Sequence, residues 1–267
     1  MKPSVSGLSK WVLAAAVSMA LPAHASIYTF VTPTGSTDPA GDLVSAEVKL
    51  NITAGSMVVT LTNLEPSIQD VGQAISSLFF SLNQNSSNSI DLAKNTTTTI
   101  SGALVKIGEP SGTQSAGTLN DAAVGSTPTD TTHWTVDATG PYGSVGKSQM
   151  FLNDLNGNSP NHNGPDQTIL GPPDSSGGQY STLNGSIYGN GAHNPFIENT
   201  ATFTIASAGL LSTTTVSNVM VGFGTSTCAP LVRTHIPEPG TLAIFAAGVA
   251  LMGGVFRRRR QTDYNHS

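Results

Sequence analysis

One stretch of the sequence places oxygen-bearing side chains at alternate positions, as calcium-binding loops do. It reads Asp154-Leu155-Asn156-Gly157-Asn158, and carboxylate and amide oxygens are the ligands that calcium prefers. Ser159 stands where such a loop requires glycine, and Pro165 stands where it requires an acidic residue. Asp166 and Asp174 could join a site from the same polar region. A polar turn in solvent explains the pattern as well, and we expect that interpretation over calcium binding.

No other motif predicts catalysis. Residues 143–148 end like a phosphate-binding loop, but Pro141 stands where that motif requires glycine. The nucleophile elbow Gly-x-Ser-x-Gly and the zinc-binding His-Glu-x-x-His are both absent from the sequence. A pair of glycosidase carboxylates has no characteristic spacing that would reveal it. The histidines of the body occur singly, at His133, His162, His193 and His235. We therefore predict no catalytic residue, metal site or cofactor, and expect that the protein is not an enzyme.

The elements that position these residues are predicted to be strands, because apolar residues recur mainly with period two. In residues 46–52, four apolar side chains alternate with polar ones, which is typical of a strand with one buried face. Residues 53–56 supply a turn and residues 57–62 a second β-rich run, so the two runs predict a hairpin. Further strands are predicted at residues 28–31, 75–82, 97–107, 133–136, 201–205 and 213–223. Many short strands separated by Gly, Pro and Asn predict a mainly β fold, an antiparallel β-sandwich that could be jelly-roll-like.

Three segments lack a strand pattern. Residues 155–194 contain four Asn-Gly pairs and four prolines and are predicted to form a long irregular loop on the surface of one domain. Residues 112–132 are of low complexity and are also predicted to be a loop. Residues 66–74 could form one or two helical turns. The single cysteine, Cys228, is expected to be an incidental half-buried side chain, although an exported thiol could also pair between chains.

The charge of the body excludes one class of partner. Residues 26–236 contain five Lys and Arg against fourteen Asp and Glu, a net charge of −9. Binding to nucleic acid requires clustered Lys and Arg, so we predict no nucleic-acid partner. Because the chain has one cysteine, an exported domain of this size must rely on its apolar core for stability.

The N-terminus has the three parts of a secretory signal peptide. Lys2 and Lys10 form a basic start, residues 11–21 form a short apolar segment, and Ala23 and Ala25 form a small-x-small cleavage site. The apolar segment is about half of the roughly 20 residues that cross a bilayer. We therefore predict a signal peptide at residues 1–25, cleaved after Ala25, rather than an uncleaved anchor. The exported domain is predicted at residues 26–235.

The C-terminus has an order of its own. Pro237, Glu238 and Pro239, the Pro-Glu-Pro signature, precede an apolar stretch at residues 241–256. Its 16 residues would rise about 24 Å as a helix, short of a hydrocarbon core of roughly 30 Å, but local thinning of the bilayer allows a span. Basic residues at its end favour a cytoplasmic location, and we expect them to act as the stop signal: Arg257, Arg258, Arg259 and Arg260. We predict one C-terminal transmembrane helix with the body outside the inner membrane.

These three C-terminal parts, in this order, resemble the PEP-CTERM family of exosortase-dependent proteins. The resemblance covers residues 236–260 and implies that exosortase, a membrane-embedded enzyme, cuts the chain near the signature. It also implies a Gram-negative host that often makes exopolysaccharide, and delivery of the body to the cell surface or matrix. Residues 261–267 extend beyond the point where members usually stop and are expected to form a cytoplasmic tail. An uncut single-span anchor would leave the signature unexplained.

We therefore expect an exported surface or biofilm-matrix protein that is associated with exopolysaccharide. The alternative is a secreted carbohydrate-binding or glycan-degrading protein that uses the same sorting tail. Two aromatic spots, His133-Trp134 and Asn194-Pro195-Phe196, could stack on sugar rings, although we expect them to be buried in the core.

Overall fold

The protein is a mainly β structure. The computed structural model describes residues 25–84, 92, 96–108, 114–124, 133–136, 139–140, 143–144, 146–154, 167–174, 180–188, 191, 193–225 and 231–237. Strands make up 55% of the structure and helix 2%, which confirms the mainly β class predicted from period-two apolar patterning. One 3₁₀ turn, Val71–Gln73, lies in the segment where a helical turn was expected.

The described residues form fourteen strands, numbered in chain order. The first seven are β1 Ser26–Val31, β2 Ala46–Thr53, β3 Ser56–Asn63, β4 Ile75–Asn83, β5 Thr96–Ile107, β6 Gln114–Val124 and β7 Thr135–Val136. The other seven are β8 Thr139–Gly140, β9 Gly143–Ser144, β10 Gln149–Asn153, β11 Ile169–Leu170, β12 Phe196–Ser207, β13 Thr215–Phe223 and β14 Leu231–Arg233.

The predicted hairpin is β2–β3. Val48, Leu50 and Ile52 of β2 are completely buried while the residues between them face outwards. Gly55 makes the turn at φ 82°, a conformation that glycine adopts without steric cost. The strands pair in register from Ala46 opposite Asn63 to Thr53 opposite Ser56, which confirms the hairpin.

Twelve strands form one mixed sheet, in the order β1-β2-β3-β12-β11-β4-β10-β7, and β8–β9 form a separate pair. β5 and β6 extend from β12, and β13 and β14 extend from β4. Every pairing is antiparallel except β11–β12, where Ile169 and Leu170 run parallel to Ile197 and Glu198. The predicted all-antiparallel arrangement is therefore wrong at this pairing. β11 joins the β12 half of the sheet to the β4 half.

The two halves share one apolar core. Its main cluster contains Leu50 and Phe203 from β2 and β12, together with Phe80, Met150 and Val221 from β4, β10 and β13. Complete burial of such side chains contributes about 1.5–3 kcal/mol each, and this burial takes the place of disulfides. A second cluster lies beneath residues 180–188 and contains Tyr180, Leu183, Ile187 and Phe196.

Strands also form where the sequence predicted loops. β6 lies within residues 112–132, where the loop prediction is wrong: its backbone pairs with β5 from Thr98 opposite Val124 to Ile107 opposite Gln114. Its only large apolar residues are Leu119 and Val124, which gives no apolar alternation, yet backbone hydrogen bonding to a neighbouring strand does not require one. β11 likewise interrupts the predicted loop at residues 155–194, and β10 and β14 were not predicted.

Several predicted segments lie outside the described residues. They are the signal peptide apart from Ala25, Cys228, the apolar stretch with its arginines, and the cytoplasmic tail. Among the residues that the structure describes, no helix is long and apolar enough to cross a membrane.

Candidate functional site

The sheet holds the chain until just before the Pro-Glu-Pro signature. β14 pairs with β13, and the backbone amide and side-chain hydroxyl of Thr234 both donate to the Val219 carbonyl, at 3.0 and 2.8 Å. His235 then exchanges two backbone hydrogen bonds with Val31 of β1, at 2.8 and 2.9 Å. The next two residues, Ile236 and Pro237, are exposed. The ordered body thus ends two residues before Pro237, the one signature residue that the structure describes.

The other end of the body is equally close to its predicted cleavage site. β1 begins at Ser26, directly after the exposed Ala25. The Ser26 hydroxyl donates to the Ser212 carbonyl at 2.6 Å, and Ser26 pairs with Ile52 of β2. The first residue after the predicted cleavage is therefore already part of the sheet.

Three carboxylates that the sequence analysis did not connect lie together near the 3₁₀ turn. Oxygen atoms of Asp38, Asp42 and Asp70, here called the carboxylate cluster, all lie within 4.8 Å of one another. Burial raises the pKa of Asp70, and the nearby charges of Asp42 and Asp38 raise it further, whereas the Gly72 amide acts in the opposite direction. The sequence shows Asp38 and Asp42 flanking a Pro-Ala-Gly turn, but only folding brings Asp70 to them.

This cluster could hold a hard cation, because carboxylate oxygens are the ligands that such ions prefer. Two of its members also have structural roles. Asp38 Oδ1 accepts from the Ala40 and Asp42 amides at 2.9 Å and so holds its own turn. Asp70 caps the 3₁₀ turn by accepting from the Gly72 amide at 2.7 Å. These contacts give Asp38 and Asp70 structural roles that do not require a bound ion.

The described members of the calcium-like stretch, Asp154 and Asp174, lie in different environments. Asp154 is completely buried, so it is not part of a solvent-exposed turn. Asp174 is on the surface, where its carboxylate accepts from the amides and hydroxyls of Ser181 and Thr182 at 2.9–3.0 Å. Partial burial raises the pKa of Asp174, but these hydrogen bonds outweigh it and leave the pKa below its ordinary value. Residues 156, 158 and 166 lie outside the described chain.

The two aromatic spots are buried, as expected from the sequence. Trp134 and Phe196 are completely inaccessible to solvent. The Trp134 ring makes an edge-to-face contact with Phe203 at a centroid distance of 5.0 Å, and its Nε1–H donates to the Gln167 carbonyl at 2.9 Å. Neither ring is available to stack on a sugar.

The outer side of β3, β12 and β5 carries an ordered set of hydroxyl groups, here called the threonine face. Its side chains are half-buried and come from alternate positions whose neighbours fill the core: Thr60, Thr62, Thr200, Thr202, Thr204, Thr99 and Ser101. Thr202 lies between Thr60 and Ser101, and Thr204 lies next to Thr99. The Thr62 and Thr200 hydroxyls are hydrogen-bonded at 3.2 Å. Sheet geometry spaces such groups about 4.8 Å apart across strands and about 6.8 Å along them.

The body is thus β-rich, and its last described strand pairing is followed by the exposed residues Ile236 and Pro237. Residues 235–260 match the family model of the PEP-CTERM protein-sorting motif, which confirms the resemblance found in the sequence. The motif marks the chain as an exported protein that exosortase sorts and that is anchored at the membrane before processing. Comparison of the chain with curated proteins and with solved structures found no match.

Proposed function

We propose that this is a non-enzymatic surface or matrix protein, cut by exosortase at the Pro-Glu-Pro signature and then associated with exopolysaccharide. The observation that carries the proposal is the PEP-CTERM motif at residues 235–260. The motif follows directly on a folded body that ends at the Val31–His235 bridge.

The junction suits a protease substrate. Proline fixes φ and disfavours helix at the residue before it, so Pro237 and Pro239 keep the signature extended. Ile236 is 61% exposed, and an enzyme at the membrane surface therefore reaches the chain without opening the sheet. Glu238 adds a charge that resists entry into the bilayer. The apolar stretch and the arginines beyond it hold the uncut chain in the inner membrane as one transmembrane helix.

The threonine face supports association with a hydrated polysaccharide. The body is best interpreted as a β-sandwich, because both halves of its sheet contribute to one core. A sandwich presents the outer side of β3, β12 and β5 as a broad surface of regularly spaced hydroxyl groups. Such groups exchange hydrogen bonds with sugar hydroxyls directly or through water, and many weak contacts along one polymer add up.

The carboxylate cluster is the feature that a glycan-degrading enzyme would use, since such enzymes work with paired carboxylates. Here Asp38 and Asp70 hold turns through backbone amides. A hydrolase would lose its activity when Asp42 is replaced by Asn. We expect no hydrolysis of the host exopolysaccharide by the wild-type protein, which reducing-end release measures. Hydrolysis that Asp42→Asn abolishes would overturn the non-enzymatic proposal.

Processing is tested by mass spectrometry of the protein from its native host. The mature form should lack residues before Ser26 and residues beyond about Pro239. A Pro237→Ala, Pro239→Ala double variant should remain uncut in the inner membrane, as the wild-type protein should in an exosortase deletion strain. The matched control is Pro66→Ala, which alters the exposed proline of a Glu-Pro pair in the body and should leave processing unchanged. Recovery of the arginines on the mature surface form would contradict the proposal.

Association with polysaccharide is tested separately with isosteric variants. Thr202→Val combined with Thr204→Val removes two hydroxyls from the threonine face, and Thr34→Val combined with Thr213→Val removes two exposed hydroxyls elsewhere. At about 0.5 kcal/mol for each lost hydrogen bond, the first variant should bind purified host exopolysaccharide about fivefold more weakly in co-sedimentation. The second should bind as the wild type does. Equal binding by all three proteins would rule out the threonine face as the contact surface.

A further inference from the structure

The carboxyl group of Asp154 lies in an environment unlike that of a solvent-exposed carboxylate. Asp154 is completely buried, and neither of its carboxylate oxygens has a hydrogen-bond partner among the residues that the structure describes. The hydroxyl oxygens of Ser76 and Thr168 are also buried and also lack partners. Buried polar atoms are nearly always hydrogen-bonded, to protein or to ordered water. Four such oxygens in one region therefore require a common explanation.

Strand register places these groups side by side. The Asp154 amide donates to the Ser76 carbonyl at 3.0 Å, continuing the pairing in which Leu152 lies opposite Leu78. Ile169 pairs with Ile75 in antiparallel orientation, and Ile75 also pairs with Phe223 of β13 on its opposite edge. Since β13 and β10 flank β4 on opposite edges, β11 continues along the β10 edge, and Thr168 adjoins Ser76 on the same side as Asp154. Asp154 at the end of β10 and Thr168 at the start of β11 therefore meet at Ser76 of β4, with about 4.8 Å between adjacent strands; the three residues are here called the row. Residues directly opposite each other in antiparallel strands point to the same face of the sheet.

Neighbouring side chains close this row off from solvent. Trp134 continues the row on the β7 side, since Thr135 pairs with Asn153. Its indole is anchored by the hydrogen bond to the Gln167 carbonyl, and the side chain of Gln167 accepts from the His133 amide at 3.1 Å. Thr168, next to Gln167, is completely buried. The row is thus enclosed by ordered residues that hold one another in place.

We propose that Asp154, Ser76 and Thr168 form an internal water-binding site in which Asp154 is the neutral carboxylic acid. The acid proton is donated to a bound water, and this water in turn hydrogen-bonds to the two hydroxyls. A neutral acid with two hydroxyl neighbours satisfies its hydrogen-bonding capacity with one or two waters, and buried waters typically make about three hydrogen bonds. Calcium would need six to eight oxygen ligands, and the row offers four.

The electrostatic surroundings agree with a neutral acid. The strands β4, β7, β10 and β11 carry no ionisable side chain. The ionisable groups nearest to these strands in the described chain are His133, Lys147 and Asp174, together with Glu198 of β12, which pairs with Leu170. Burial alone raises the pKa of Asp154 well above its ordinary value of 3.8, without an offsetting charge. An ionised Asp154 would be a buried charge without a counter-ion, which folded proteins avoid by neutralisation.

The first test is the pH dependence of unfolding of the protein purified from its native host. A folded state that keeps the Asp154 proton to higher pH loses stability as the pH rises from 3.8 towards the folded-state pKa. The ratio of the wild-type unfolding constant to that of Asp154→Asn should therefore rise up to tenfold per pH unit in this window. Asp174→Asn is the control of opposite sign, because the pKa of Asp174 is lowered. It should destabilise at neutral pH, and the effect should vanish in acid.

The main measurements of the second test are made on the wild-type protein. Infrared spectroscopy of the wild-type protein at pH 7 should detect a protonated carboxyl band, and a high-resolution crystal structure should locate water within hydrogen-bond distance of the Asp154 carboxyl. Asp154→Asn should remove the band. An ionised Asp154 at pH 7 would overturn the proposal. A rise in melting temperature with CaCl2 that EDTA reverses and Asp154→Asn abolishes would also overturn it, in favour of a cation site.

Discussion

Replacing Phe203 with Ala is the most direct test of whether the two halves of the sheet share one core. Phe203 lies on β12, is completely buried and meets the edge of the Trp134 ring from the β7 side at 5.0 Å. Its ring therefore fills space that both halves line. The same substitution at Phe151, which is 6% exposed, removes an equal ring from a small cluster outside the main core and serves as the control.

The expected magnitude follows from these contacts. Truncating a buried Phe to Ala costs about 3–5 kcal/mol, and the lost edge-to-face pair adds about 0.5–1.5 kcal/mol. Phe203→Ala should therefore lower the free energy of unfolding by about 3.5–6.5 kcal/mol, a large part of the roughly 5–15 kcal/mol of a typical domain. Phe203→Leu, at about 1–3 kcal/mol, keeps the test usable if the Ala variant does not fold.

Tryptophan fluorescence during urea unfolding is the assay. The chain has two tryptophans, and Trp11 lies in the predicted signal peptide, so Trp134 reports alone in the processed protein. The native Trp134 emission should be blue-shifted and resistant to quenching by acrylamide. Phe203→Leu should change this emission, whereas Phe151→Ala should lower stability and leave the emission unchanged. A Phe203→Ala variant that loses less than about 1 kcal/mol and keeps the native Trp134 emission would refute the shared core.

Three further substitutions test the packing near the carboxylate cluster. Gly171→Ala should destabilise the protein by several kcal/mol in thermal unfolding, because the added Cβ would overlap the Glu65 backbone carbonyl. Gly185→Ala is its control and should be neutral, because the added Cβ meets no atom within 4 Å. Asn63→Ala should cost about 2–4 kcal/mol in urea unfolding, because Asn63 is completely buried and makes three hydrogen bonds to the backbone. Asp42→Asn should lower the pKa of Asp70 in an NMR titration, because Asp42 raises it; an unchanged pKa would contradict the short separation.

Local alternation made part of the fold predictable. The hairpin β2–β3 could be identified because each strand carries its apolar residues at every second position and Gly55 supplies the turn. β13 was predicted as a strand, but its alternation of residue types does not show that both faces are buried, since Met220 packs on Phe79 and Phe151 outside the main core. The positive φ of Asn218 and the register shift after Ser217 alter the alternation there. Neither feature has a signal in the residue types.

Non-local contacts account for most of what the sequence did not predict. Asp70 reaches Asp38 only through the fold. Asp154 looked like a polar turn residue because its neighbours in sequence are polar, yet its neighbours in space are Ser76 and Trp134. Conversely, β6 looked like a loop because Leu119 and Val124 are its only large apolar residues, although pairing with β5 determines its structure.

The difference between local sequence and non-local contacts also determines how exosortase processing and polysaccharide binding respond to mutation. A protease binds an extended segment and therefore recognises consecutive residues. The three residues at 237–239 can form the whole recognition signature. A sheet surface is built by register from strands far apart in the chain, as Thr60 and Thr202 show. Its contribution is divided among many equivalent hydroxyls. A single substitution in the signature should therefore stop delivery, whereas a single substitution such as Thr202→Val should weaken binding only about twofold, at about 0.5 kcal/mol for the lost hydrogen bond.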